Sequence, residues 1–272
     1  MSTQIVEIQD DFDLEKIISC GQCFRVKKYE DKTYRFITED QVLYIRKLQD
    51  CTYWISCSEK EWQQVWTDYF DLSRNYKNLR KIANSKNDFI ERAMEYGLGL
   101  RVLHQKPWEM LITFIISQRK NIPAISKSVE ALAKNYGHTI TTDFETVSSF
   151  PTPEQLYKAS IEDLCACSLG YRAAYVKDAV ERVVSGVLDL EKIAEYEDEK
   201  LFQELMKVYG VGKKVANCVC LFGYGRSSRV PIDIWISRAI QEEFNGQDPF
   251  SAFGEDAGII QQYVFYYKKN LL

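Results

Sequence analysis

The chain predicts an α+β fold: an N-terminal antiparallel β-sheet followed by a mostly α-helical region containing a helix-hairpin-helix. Three observations carry this. Residues 24–48, FRVKKYEDKTYRFITEDQVLYIRKL, alternate apolar and polar residues in segments rich in Tyr, Phe, Ile and Val, with polar breaks at Glu30-Asp31-Lys32 and Glu39-Asp40. From Ser58 onward the periodicity is that of helices. Residues 205–235, LMKVYGVGKKVANCVCLFGYGRSSRVPIDIW, read as a helix, a Gly-Val-Gly turn, a second helix opening on two lysines, a basic loop and an aspartate after a proline.

Taken in order, residues 1 to about 57 are expected to form β structure throughout. The Ser58-Glu-Lys-Glu61 pattern is a capping box ahead of WQQVWTDYF. Lys106-Pro107 starts a helix with proline at its first position, and WEMLITFIISQ is apolar almost all round, which places it centrally. Asn121-Ile122-Pro123 reads as a turn, with a helix following to Tyr136-Gly137. Pro151-Thr152-Pro153-Glu154 opens a helix to about Cys165. Residues 168–172 read as a turn, and AAYVKDAVERVVSG as a helix closed by Gly186. Helices from Asp198 and from Asp256 to Asn270 complete the chain. Residues 1–85 and 86–272 are the two expected units.

The composition narrows the chemistry. Hydrophobic residues make up 46% of the 272 and charged residues 27%, as in ordinary globular proteins. No apolar run approaches the ~20 residues a membrane span requires. The acidic N-terminus lacks the apolar segment of a secretory signal, so an intracellular, non-secreted monomer is expected, in the cytoplasm or nucleoid of a prokaryote or the nucleus of a eukaryote. The net charge of −4 does not exclude nucleic acid, because binding depends on a local basic face. Eight cysteines lack metal-ligand spacing beyond Cys20-Gly-Gln-Cys23, so reduced thiols and no metal site are expected. His104 and His138 both lie far in sequence from the central stretch, which disfavours histidine-based chemistry.

The hairpin has its own chemistry. Gly210 and Gly212 permit a tight turn, and the helix that follows offers free N–H groups and a positive dipole end to a phosphate. Such a site holds a backbone without reading sequence. Lys213 and Lys214 stand in the first helical turn, where the dipole disfavours the ammonium form and favours the free amine of a nucleophile. Their side chains diverge by about 100°, so one can meet phosphate while the other faces a pocket. Asp233 reads as the N-cap of the next helix; a carboxylate held there is also suited to stabilise an oxocarbenium-like sugar. Arg226 and Arg229 are candidate phosphate contacts.

Gly-Val-Gly-Lys-Lys-Val-Ala-Asn-Cys followed by Val-Pro-Ile-Asp resembles the helix-hairpin-helix DNA glycosylases with the Gly/Pro-Asp loop, and most closely the 8-oxoguanine DNA glycosylase/AP lyases. The likeness is strongest from about Trp108 to Ile240. Ser19-Cys-Gly-Gln-Cys-Phe-Arg25 is similar to the family's Gly-Gln-x-Phe-Arg segment, and Ala257-Gly258 with Gln261 and Phe265 to its C-terminal pocket helix. The resemblance implies Lys214 as Schiff-base nucleophile and Asp233 as catalytic carboxylate. It implies Gly21 as acceptor of the N7–H that only the oxidised guanine carries, Phe265 and Cys218 as the sandwich around the flipped base, and Gln261 on its Watson–Crick edge. It also implies Tyr171 as the wedge and Arg172 as the residue facing the orphaned cytosine. Arg119, Asn121, Gly210, Gly212, Lys213 and Trp235 complete the expected DNA contacts. The family further implies a monovalent cation at the hairpin backbone and no other cofactor.

Three departures matter. Gln118-Arg119-Lys120-Asn121 replaces an Asn-rich turn, and Ala124 stands where a second cytosine-reading arginine is expected, so a relaxed opposite-base preference is implied. Trp235 replaces a phosphate-contacting histidine of the animal members. The predicted activity is release of 8-oxoguanine from duplex DNA by base flipping and imine chemistry. The alternatives are a non-catalytic helix-hairpin-helix module, which leaves Gly21, Gln261 and Phe265 without a purpose, and a glycosylase for another lesion.

Overall fold

A computed structural model describes residues 2–84 and 87–271, so the expected boundary between residues 85 and 86 lies outside the described residues. Five strands, β1 (Gln4–Glu7), β2 (Lys27–Lys28), β3 (Tyr34–Thr38), β4 (Gln41–Gln49) and β5 (Thr52–Ile55), form one antiparallel sheet in the order β1-β5-β4-β3-β2. The N-terminal segment is not β throughout. Helix α1 (Leu14–Ser19) separates β1 from β2, because the Asp13 carboxylate accepts from the amides of Glu15 and Lys16 and nucleates a turn. One face of the sheet buries Phe36, Leu43, Ile45 and Ile55 against Trp62, Trp66 and Phe70. The last three lie along α2 (Glu59–Glu61), a π turn (Trp62–Trp66) and α3 (Thr67–Tyr69), with Phe70 just beyond. The Ser58 cap forms, but the Glu61 carboxylate accepts from the Trp66 indole at 3.0 Å, and the capping box is one-sided.

Helices α4 (Tyr76–Asn84), α5 (Asp88–Tyr96), α6 (Pro107–Ile116) and α7 (Ile122–Tyr136) follow. Residues 121–123 are not a free turn: Asn121 caps α7 by accepting from Ala124 N–H. A hairpin of β6 (Thr139–Thr141) and β7 (Thr146–Ser148) interrupts the helical region. The single helix expected from residue 151 to Cys165 is two, α8 (Pro153–Tyr157) and α9 (Ile161–Ala166), because Ser160 with Asp163 starts a second capping box after that of Thr152 with Gln155. Then come α10 (Arg172–Val184), the short unanticipated α11 (Leu190–Ala194), α12 (Asp198–Met206), α13 (Lys213–Tyr224), α14 (Ile234–Glu243) and α15 (Ala257–Asn270).

The helical core is centred on α6, whose residues Met110–Ile116 are all buried, and α13 lies along it. Arg101 joins this core to the one beneath the sheet. Fully buried over the Tyr76 ring, it donates to the carbonyls of Asp11 and Asp71 and to the Asp10 carboxylate. All eight cysteines are free thiols. Burial raises the thiols of both Cys20, to about 11, and Cys23. Among the described residues no cluster of His, Cys, Asp or Glu is arranged to hold a metal, and no helix is long and apolar enough to cross a membrane.

Candidate active site

The turn between α12 and α13 takes its shape from one glycine. Gly210 has φ +80°, and a Cβ there would fall 2.3 Å from the Tyr175 ring. Gly212 is the N-cap of α13 with φ −95°. It needs no left-handed backbone, a Cβ on it would meet nothing, and no side chain caps the helix. The first amides of α13 therefore face outward, as an anion site requires. Lys213 is exposed and Lys214 half-buried, so the two side chains diverge as the helical step dictates.

Lys214 points into the protein, its ammonium 5.2 Å from the centre of the Phe114 ring. Phe114 is stacked on Phe222 at 5.4 Å. Asp233 caps α14, accepting from Trp235 N–H and Ile236 N–H at 2.9 Å each. Lys214 and Asp233 line one cavity with Gly21, Cys218, Gln261 and Phe265, so residues from four distant segments converge. The cavity holds about 50 Å³ and opens towards a mouth of about 590 Å³ that also reaches Trp235, Asn121 and Lys269.

The local structure explains the convergence. Gly21 has φ +78° and is fixed through its neighbours. Gln22, fully buried, donates to Arg101 C=O at 2.6 Å and accepts from Leu103 N–H at 2.7 Å, while Gln262 donates to Cys20 C=O at 2.6 Å. Phe265 lies against Gly21: a Cβ there would approach the phenyl ring to 3.3 Å. At the start of α15, Gly258 N–H donates to Ser227 C=O at 2.7 Å, an approach no larger residue permits, since a Cβ would meet Arg229 C=O at 2.3 Å. That contact binds the pocket helix to the loop leading to Asp233.

Two pocket groups have telling electrostatics. Burial raises the Cys218 thiol and the Asp233 carboxylate adds to the rise, against the opposing Lys214 ammonium. Cys218 is a neutral, apolar wall. The Gln261 side-chain carbonyl is buried and accepts no hydrogen bond, so the cavity presents an unpaired acceptor.

The other expected DNA contacts divide. Tyr171 is 51% exposed. Arg119 is exposed at the tip of the α6–α7 turn with φ +52°. Asn121 is exposed but spends its carbonyl on the α7 cap. Trp235 is half-buried beneath Arg238, 5.4 Å from its ring. Arg172, expected to face an orphaned base, instead turns inward: it is 7% exposed and donates to the carbonyls of Gln118 and Leu169, which satisfy its guanidinium inside the protein. Arg226 and Arg229 are likewise engaged internally, Arg226 with Ala194 C=O, Tyr196 C=O and Asp198, Arg229 with Asn217 and Glu199. Phe114, Phe222 and the bracing role of Gln118 carry no signal in the sequence. Gln118 donates to Gly210 C=O at 3.1 Å while its own carbonyl holds Arg172.

Comparison with known proteins agrees with this architecture. Residues 4–111 match the family described as 8-oxoguanine DNA glycosylase, N-terminal domain, and residues 112–249 the HhH-GPD superfamily of base excision DNA repair proteins. The structure of MBOgg1 in complex with a low-affinity DNA ligand is 34% identical with TM-score 0.94, the match covering 100% of this chain and 96% of that one. The Clostridium acetobutylicum 8-oxoguanine glycosylase/lyase, in complex with duplex DNA containing cytosine opposite 8-oxoguanine, is 33% identical with TM-score 0.91, covering 99% of each chain. The Saccharomyces cerevisiae N-glycosylase/DNA lyase is 37% identical over 160 residues, spanning 54% of this chain but only 42% of the yeast protein.

Proposed function

This chain belongs to the HhH-GPD superfamily of base excision DNA repair proteins, and from that premise we propose that it is a bifunctional glycosylase/AP lyase, acting as a monomer, that removes 8-oxoguanine from duplex DNA. The carrying observation is the cavity itself: an amine (Lys214), a carboxylate (Asp233), an unpaired carbonyl (Gln261) and an aromatic wall (Phe265) meet beside Gly21. At about 50 Å³ the cavity has room for only a few waters, so its walls must move apart for a purine to enter.

In the proposed reaction the Lys214 amine attacks C1′ of the flipped nucleotide. The C1′–N9 bond breaks and its electron pair leaves with the base, while Asp233 stabilises the positive charge developing on the sugar. Opening of the sugar ring gives an imine. Loss of a proton from C2′ then expels the 3′ phosphate by β-elimination. The carbonyl of Gly21 accepts the N7–H of the oxidised base, and Gln261 accepts from its Watson–Crick edge. Lys213 and the α13 amides hold the backbone, and Tyr171 fills the stack. A monovalent cation at the hairpin forms part of the same proposal. Val208 C=O and Gly210 C=O each already accept one hydrogen bond and keep one lone pair for it.

The test is cleavage of duplexes carrying 8-oxoguanine opposite each of the four bases, with borohydride trapping. Base release, a trapped adduct that Lys214→Gln abolishes, and rates little affected by the opposite base are expected. The last expectation follows from Arg119 and Ala124 replacing more selective partners. Binding without release from any duplex overturns the proposal.

A further inference from the structure

Three tyrosines form a row from the start of α10 to the α12–α13 turn. Tyr171 meets Tyr175 edge-on at 5.7 Å, and Tyr175 meets Tyr209 edge-on at 4.8 Å. Tyr175 closes against Gly210, which leaves no room for a side chain there. Tyr209 is the residue before Gly210 and is 59% exposed, yet it is firmly held. Its N–H donates to the Asp178 carboxylate at 2.8 Å, and Arg182 braces that carboxylate at 2.7 Å. A single exposed tyrosine on a surface needs no explanation. A braced one, in the turn whose following amides face outward as a phosphate site, does.

We infer that Tyr209 is a further DNA-contacting residue, its ring an apolar ledge for the sugar and base next to the flipped nucleotide. This rests on the proposed glycosylase reading. Tyr175 ties the ledge to Tyr171, and Gln118 ties Gly210 to Arg172, so hairpin and wedge meet the duplex as one body. Aromatic rings support nucleotides without regard to sequence, and an uncharged ring releases no counterions. The contact therefore adds affinity without adding salt dependence.

The experiment measures binding by fluorescence anisotropy to a duplex carrying a tetrahydrofuran abasic analogue, at several salt concentrations. Tyr209→Ala should weaken binding about tenfold, and Tyr209→Phe should stay within about twofold of the parent protein. The slope of log Kd against log salt should be the same in all three, whereas Lys213→Ala should lower it by about one. At a saturating concentration of a duplex carrying 8-oxoguanine, Tyr209→Ala should trap with borohydride at the parent rate, which places the loss in KM. An affinity for Tyr209→Ala within about twofold of the parent, a loss in Tyr209→Phe equal to that of the alanine variant, or a changed salt slope overturns the inference. Failure of the glycosylase reading itself is read separately, as a parent protein that binds and releases no base.

Discussion

The Lys214 ammonium sits over the face of Phe114, 5.2 Å from the ring centre, and Phe114 is braced in turn by stacking on Phe222. A lysine carries four rotatable carbons, and an amine that must meet one sugar carbon gains from a surface that limits where it points. The ring supplies that surface, and its cation–π attraction for the resting ammonium, worth about 0.5–2 kcal/mol, holds the side chain in line until the proton is lost and the amine attacks.

Phe114→Leu keeps an apolar wall and removes the ring. Imine formation on a preformed abasic site should slow about threefold to tenfold, with DNA affinity unchanged. Single-turnover borohydride trapping measures this directly. An unaltered trapping rate would show that Phe114 serves packing alone.

Asp233 combines two tasks that substitution can separate. Its carboxylate caps α14 through Trp235 N–H and Ile236 N–H, and it faces the same cavity as Lys214. Asparagine caps as well as aspartate. Asp233→Asn should therefore melt close to the parent temperature while base release falls by about 10²–10³, and Asp233→Ala should lose roughly 1 kcal/mol of stability besides. Thermal denaturation beside single-turnover kinetics separates the two effects. A fully active Asp233→Asn variant would remove the carboxylate from the chemistry.

These residues differ in how plainly the sequence displays them. Asp233 is legible because an aspartate at a helix start marks itself by its local role, whereas the spacing after Gly-Val-Gly shows only that one of Lys213 and Lys214 faces a pocket, and the resemblance alone singles out Lys214. Phe114 is hidden because α6 is apolar all round, and such a helix gives no phase to say which side faces a cavity. Gln118 and Arg172 are hidden differently. Whether a guanidinium faces solvent or main-chain carbonyls depends on how the 168–172 turn meets α6, and that meeting is tertiary. Helix α1 is six residues long, too short for a periodicity to emerge beside the strands around it. Only its cap, Asp13, marks it.

Gln261 should show a trade between stability and function. Its side-chain carbonyl is buried and accepts no hydrogen bond, a cost of about 1–3 kcal/mol in the free protein. Gln261→Leu removes that acceptor at similar volume. The variant should be as stable as the parent or more so, while release of 8-oxoguanine drops about tenfold or more as the base edge loses its partner. Chemical denaturation and base-release rates check both halves. A variant that loses stability and retains activity would mean that the carbonyl is satisfied within the fold.

Glu109, in the first turn of α6, should make stability depend on pH. The residue is half-buried, and burial pushes its pKa up to about 7 from an ordinary 4.5, with Arg25 opposing and Glu130 and Glu39 reinforcing the rise. Between those values the folded protein keeps a proton that the unfolded chain releases. This contribution is therefore fully present below about 4.5 and lost as pH rises through about 7. Glu109→Gln cannot ionise and escapes the loss. The variant should gain on the parent between pH 5 and pH 8, by no more than about 3 kcal/mol. Urea denaturation of both proteins at the two pH values measures the difference. A gap that stays constant with pH would mean that the Glu109 carboxylate is ionised throughout, with Arg25 as its counter-charge.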